Sequence, residues 1–172
     1  NRNNQRGRNK TVTGIKTGHT ESAGYCLVAS AERNNMRLIS VVTGTANEAA
    51  RATESQKLLR YGYRFFSTYF IYDANTELHK MQVWKGEKEE VPLGIDQPLY
   101  VTIPRGQYKK LKASLNVNQD IEAPVEQGKQ YGTVNVVLGE QPLLERPLVA
   151  LEAVNEGSLW VRAKDGFIMM FQ

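Results

Sequence analysis

Gly14-Ile15-Lys16-Thr17-Gly18-His19-Thr20 is the stretch on which the reading of this chain turns. Ile15 leads in as an apolar residue, Gly18 leaves as a small one, and the strand-like run Tyr25-Cys26-Leu27-Val28-Ala29 follows almost at once. The spacing predicts a strand edge that carries a cation and a hydroxyl beside a glycine. Lys16 and Thr17 on such an edge can hold a carboxylate, and Gly18 lets a bound backbone come close.

The neighbours set the local fold. Residues 24–31 and 36–43 are apolar, β-branched runs separated by Glu32-Arg33-Asn34-Asn35. Asn tolerates left-handed backbone, so these runs predict a hairpin. Gly44-Thr45-Ala46-Asn47 then punctuates, with Asn47 as helix N-cap and Glu48 and Glu54 toward the positive helix end. Residues 49–66 follow helical period. Ala52, Leu59, Gly62 and Phe66 fall on one side, Leu58 and Phe65 widen it, and Arg51, Glu54, Lys57 and Arg60 face out. The stripe reads as core packing.

Beyond Tyr69 the helical period disappears. Strands are predicted at residues 78–84, 90–93, 99–103, 111–117, 132–138 and 143–153, separated by Gly- and Pro-containing turns such as Pro104-Arg105-Gly106 and Gly139-Glu140-Gln141-Pro142. This spells a small antiparallel β domain. Residues 157–172 return to helical period, with Leu159, Trp160, Val161, Ala163, Phe167, Ile168, Met170 and Phe171 on one arc. Arg162, Asp165 and Gln172 lie opposite. Such a helix either lies in a membrane interface or docks its apolar side on the β domain or a partner.

Bulk composition excludes several classes. With 41% apolar and 23% charged residues over 172 positions, the chain is of ordinary globular type. A net charge of +4, scattered rather than clustered, does not make a nucleic-acid surface. Cys26 is the only cysteine, so no internal disulfide and no cysteine-based zinc site can form, and it reads as a small buried hydrophobe. His19 and His79 are isolated, so neither reads as a metal ligand, and His79 reads as a solvated strand residue. The chain opens on polar residues without Met, which is expected of the middle of a larger protein.

The run Lys16-Thr17-Gly18-His19-Thr20-Glu21-Ser22-Ala23-Gly24-Tyr25 resembles the D-alanyl-D-alanine carboxypeptidases, the low-molecular-mass penicillin-binding proteins of types five and six. Arg37-Leu38-Ile39-Ser40-Val41-Val42, Lys57-Leu58-Leu59-Arg60-Tyr61-Gly62, Leu99-Tyr100-Val101-Thr102-Ile103-Pro104-Arg105-Gly106 and Arg146-Pro147-Leu148-Val149-Ala150-Leu151 extend the resemblance over nearly the whole chain. It implies an α+β protein in three parts. Residues 1–66 would be the remnant of an α/β serine β-lactamase/transpeptidase-like domain, 67–156 an antiparallel β-sandwich-like domain, and 157–172 the start of an amphipathic membrane-associated helix.

The resemblance also implies a chemistry: an acyl-enzyme on serine, loss of the terminal D-Ala from a peptidoglycan pentapeptide, and reaction with β-lactam antibiotics. Carried over, Lys16 places charge in the cleft, Thr17 and Gly18 meet the substrate's terminal carboxylate and backbone, and the backbone N–H of His19 is an oxyanion donor. Arg2 pairs with the same carboxylate. No metal or cofactor is implied, and the location is the periplasm, peripheral to the inner membrane. None of Ser22, Ser30, Ser40, Ser55, Ser67, Ser114 and Ser158 starts a Ser-x-x-Lys motif. The Ser-x-Asn motif is expected to be missing too, leaving a chain inactive alone. The other reading is a non-catalytic β-domain module that binds or scaffolds in the bacterial envelope.

Overall fold

Asn34 and Asn35 both hold left-handed backbone, with φ of 51° and 58°, as a two-residue hairpin turn matched to strand twist requires. In the computed structural model, which describes residues 12–117 and 121–169, this turn joins two strands of a three-stranded antiparallel sheet. The strands are β1 (Val12–Thr20), β2 (Gly24–Arg33) and β3 (Met36–Thr45), in the order β1-β2-β3. The hairpin is therefore as expected, and the strand edge expected around Lys16, Thr17 and Gly18 is β1, paired with β2.

Helix α1 (Glu48–Phe65) starts where Asn47 caps it, the side-chain oxygen accepting the Ala50 N–H at 2.8 Å. It covers one face of the sheet. Leu59 and Ala31 form the buried centre, with Ile15, Leu38 and Tyr63 packed around them. The approach is close: a Cβ on Gly62 would lie 2.5 Å from Leu38 Cδ1. Between the layers the hydroxyls of Ser40 and Ser55 hydrogen-bond at 2.6 Å, both fully shielded.

Two expectations for this helix fail. Leu58 and Phe65 do not widen the packed face but stay 50% and 45% exposed. Arg51, expected outside, has a side chain only 11% exposed. The reason is rotational. The stripe that meets the sheet is 51-55-59-62, spaced by four, four and three, and Leu58 and Phe65 fall on one flank of it, roughly 55–75° from its centre. On the other face of the sheet, strand alternation leaves Val28, Ile39 and Val41 exposed.

α1 ends at Phe66, whose backbone is already extended, and β4 (Phe66–Tyr72) begins there without a break. The sequence reading placed no strand here, because no Gly or Pro separates it from the helix. The following strands are β5 (Glu77–Trp84), β6 (Glu90–Gly94), β7 (Leu99–Pro104), β8 (Leu111–Val117), β9 (Ile121–Glu122), β10 (Gln130–Leu138) and β11 (Gln141–Ala150). β4 pairs with β7. The chain divides into two compact units, Asn1–Tyr69 with Thr102–Gly106, and Phe70–Val101 with Gln107–Gln172.

The second unit is built on a six-stranded sheet in the order β8-β10-β11-β6-β5-β9. Its ladders are antiparallel except the short β5–β9 pair, which is parallel and was not expected. Alternation along β10 buries Val134 and Val136 completely, and they join Val91, Leu93, Leu148 and Val154 in the core. Gly94 stands where a Cβ would collide with the Thr76 carbonyl oxygen, so a side chain there would push β6 from its place.

Helix α2 (Leu159–Met169) is attached to this unit through polar groups. The Asp165 carboxylate accepts the Lys85 N–H at 2.7 Å, and Arg162 pairs with Glu156 at 2.7 Å. Leu159, Trp160 and Phe167 are left 81%, 87% and 67% exposed. Leu159 and Trp160 are thus not packed on the β domain. The expected extension to Gln172 lies outside the described residues from position 170. Among the described residues the chain is mostly β, in sheets that are antiparallel apart from the β5–β9 pair, with two α-helices.

Leu93 has no exposed surface and sits at the centre of the second unit. Leu93→Ala is expected to cost about 2–5 kcal/mol in denaturant unfolding. Leu159→Ala, at an 81% exposed site, is expected to change stability by no more than about 0.5 kcal/mol.

Candidate functional site

Among the described residues β1 is an edge strand, and alternation sorts its side chains. Ile15 turns toward the Ala31 and Leu59 cluster and Thr17 is half-buried, while Lys16 and Gly18 are exposed. Opposite them on β2 stand Val28, Leu27, Cys26 and Tyr25, partners of Lys16, Thr17, Gly18 and His19 respectively. The four adjacent residues Lys16, Thr17, Gly18 and His19 are therefore presented along one extended edge. Arg2 lies outside the described residues.

Gly18 is not required by crowding. A Cβ there would meet no atom within 4 Å, and its φ is not in the left-handed region. A glycine in a strand weakens it, and one use for the missing side chain is close approach by another backbone. The space beside Gly18 is open for that.

The end of the strand is clamped from α1. Arg51 Nη1 donates to the Gly18 carbonyl oxygen at 3.2 Å, and Nη2 pairs with Glu48 at 3.1 Å. The same guanidinium lies 5.5 Å from the Tyr25 ring centre. Tyr25 in turn meets the His19 ring at 4.0 Å. His19, Tyr25 and Arg51 are thus in successive contact, and the imidazole is held at the edge by ring contact. Past the edge the turn is closed by Thr20, whose Oγ1 accepts the Ala23 N–H at 3.0 Å.

Sequence reasoning missed Arg51. The signal was present, since Arg51 precedes Ser55 and Leu59 by four and eight positions on the buried stripe, but its charge argued for solvent. The flat guanidinium answers the conflict by covering an aromatic ring while its donors reach a carbonyl and a carboxylate.

Three other expectations meet the structure here. Cys26 is half-buried, not fully buried, since it falls on the strand positions that alternate away from α1. His79 is exposed on β5, as expected. The Ser-x-Asn spacing does occur, at Ser114-Leu115-Asn116, against the expectation of its absence. It stands on β8 of the second unit, with Ser114 and Asn116 exposed and paired in register with Asn135 and Thr133. It therefore belongs to a sheet ladder remote in sequence from Lys16. Among the described residues no three His, Cys, Asp or Glu side chains cluster as a metal site.

Comparison with known proteins bears on both units. Residues 66–156 match the family model "Penicillin-binding protein 5, C-terminal domain", and residues 1–47 match "D-alanyl-D-alanine carboxypeptidase". The chain is 43% identical over 161 residues to the D-alanyl-D-alanine carboxypeptidase DacA of Escherichia coli K12, covering 93% of this chain and 40% of the relative. It is 44% identical over 163 residues to DacC of the same strain, covering 94% and 40%. Among solved structures, penicillin-binding protein 5 from Haemophilus influenzae superposes with a TM-score of 0.76 at 37% identity, over 86% of this chain and 44% of that one. The chain thus spans about 40% of the length of the curated relatives it matches.

Arg51→Ala removes the donor to Gly18 and the partner of Glu48 together. It is expected to cost about 1–3 kcal/mol and to speed amide exchange across residues 18–20. Hydrogen exchange read by mass spectrometry or NMR checks it. Arg51→Lys is expected to restore little, because a point charge cannot reproduce the planar fork.

Proposed function

The chain belongs to the penicillin-binding protein 5 family of D-alanyl-D-alanine carboxypeptidases, and from that premise we propose that it is the carboxy-terminal portion of a serine-type enzyme that trims the terminal D-Ala from peptidoglycan pentapeptides. The observation that carries the reading is the β1 edge, where Lys16, Thr17, Gly18 and His19 stand side by side with open space at Gly18.

In this reading Lys16 supplies positive charge to the cleft and tunes proton transfer. Thr17 Oγ1 donates to the terminal carboxylate of the substrate, and Arg2 pairs with the same group. The absence of a side chain at Gly18 admits the peptide backbone, while the His19 N–H donates to the oxyanion of the tetrahedral intermediate. One such donor is worth roughly 3–4 kcal/mol of transition-state stabilisation. The serine oxygen attacks the carbonyl between two D-alanines, D-Ala leaves as the amine product, and water releases the shortened peptide from the acyl-enzyme. Ser-x-x-Lys is absent from these 172 residues, so the nucleophile and its base would come from a segment outside them. β-Lactam antibiotics would acylate that same serine.

The first unit would then be the carboxy-terminal edge of an α/β transpeptidase-like domain; the exposed apolar side chains of Val28, Ile39 and Val41 support this, because an apolar sheet face is ordinarily buried against a further layer. Residues 67–156 would form a sandwich-like domain that holds the cleft away from the inner membrane on its periplasmic side. α2 would begin the peripheral attachment, with Trp160 and Phe167 outward and polar contacts inward. Among the described residues no helix is long and apolar enough to cross a membrane. A second reading, a non-catalytic envelope module, is favoured by the missing Ser-x-x-Lys alone.

In the full-length enzyme, Thr17→Val is expected to lower kcat/KM on a D-Ala-D-Ala peptide by about 10–100-fold, the loss of one hydrogen bond to a charged group. Unchanged kinetics would remove Thr17 from the role. The double variant Trp160→Ser, Phe167→Ser is expected to weaken co-sedimentation with anionic lipid vesicles while leaving the far-ultraviolet spectrum unaltered.

A further inference from the structure

The first unit holds a second site for charge, unrelated to the β1 edge. A cavity of about 160 Å³ is lined by Arg33 and Asn34 from the β2–β3 turn, Tyr63 from α1, Ser67 and Thr68 from β4, and Arg105. Met36 and Phe66 complete the wall with apolar surface. A single water needs only about 10–15 Å³, so the space takes a solute of several heavy atoms.

The chemistry of the lining is one-sided. It carries two guanidinium groups and no carboxylate. The Arg33 side chain makes no hydrogen bond or ion pair among the described residues, although its neighbours Glu32 and Arg37 are paired with each other. Arg105 uses Nη2 to donate to the Tyr63 carbonyl oxygen at 3.0 Å and its backbone N–H to reach Phe65 O. That anchors the side chain and leaves its remaining N–H donors without a carboxylate partner among the described residues. The Ser67 hydroxyl likewise has no partner there. Two unpaired cations sharing a cavity repel each other, and an anion between them removes that cost while accepting their hydrogen bonds.

We propose that this cavity binds a small oxyanion, a carboxylate or a phosphate, between Arg33 and Arg105, with Ser67 as an additional donor. Tyr63 reports on occupancy. Burial pushes its phenol above the ordinary value, while the nearby positive charge of Arg33 pulls it down, Glu32 raises it and Arg37 lowers it. An anion on Arg33 offsets the Arg33 pull, so occupancy moves the Tyr63 titration further upward.

The test titrates the 172-residue chain with inorganic phosphate and, separately, with acetate, at constant ionic strength. The guanidinium N–H signals of Arg33 and Arg105 and the Tyr63 ring signals are followed by NMR. The expected result is a saturable shift of both arginines, with affinity lowered about tenfold or more in Arg33→Gln, and an upward Tyr63 titration in the wild type only. Saturation by phosphate alone identifies a phosphate site; saturation by acetate identifies a carboxylate site. The Arg33 side chain makes no bond that the fold needs, so Arg33→Gln tests charge; Arg105→Lys, which keeps a donor for the Tyr63 carbonyl, gives an independent variant. Linear, unsaturating shifts with both salts, or equal affinity in wild type and Arg33→Gln, would overturn the proposal.

Discussion

Leu59 buried against Ala31 is the contact on which the first unit depends. It fixes the rotation of α1, and that rotation decides which other residues arrive at the sheet. Ser55, four positions earlier, meets Ser40 in a shielded hydroxyl pair. Arg51, eight positions earlier, reaches Gly18 and Tyr25. A turn of α1 by one residue would replace Leu59 with Leu58 and carry Arg51 away from the strand it holds. The exposed edge at Lys16 and Thr17 is thus the far consequence of an apolar contact that touches no substrate.

The second unit reaches a similar outcome by a different route. Its sheet is held by complete burial of Leu93, Val134, Val136 and Leu148, and glycine is placed where strands crowd. Gly132 is one such position, since a Cβ there would collide with the Asn116 carbonyl oxygen. The terminal helix joins this frame through Asp165 and Arg162 rather than through Trp160. This polar attachment leaves Leu159 and Trp160 exposed, which is the inverse of the usual arrangement for a surface helix.

What could be read from sequence was governed by distance along the chain. The Asn34-Asn35 turn, the Asn47 cap and the strand at Leu111–Val117 depend on residues within a few positions of each other, and each was legible. β4 was not, because its aromatic and β-branched residues follow the helix without a breaker and are ordered by pairing with β7, about thirty residues away in Thr68 and Thr102. The parallel β5–β9 pair and the Ser40–Ser55 hydrogen bond are likewise long-range. At the site, Lys16, Thr17, Gly18 and His19 were legible from one heptapeptide, while Arg51 was hidden by the rule that charged helix residues face water. Ser114-Leu115-Asn116 shows the opposite hazard: a tripeptide with the right spacing that serves as an ordinary ladder on β8.

The most direct measurement is the intact mass of the natural gene product carrying this chain, before and after treatment with benzylpenicillin, followed by peptide mapping. A single covalent adduct is expected, on a serine outside residues 1–172 that is followed three positions later by lysine. No adduct, or an adduct on any of the serines within these residues, would contradict the assignment of the β1 edge to a carboxypeptidase cleft.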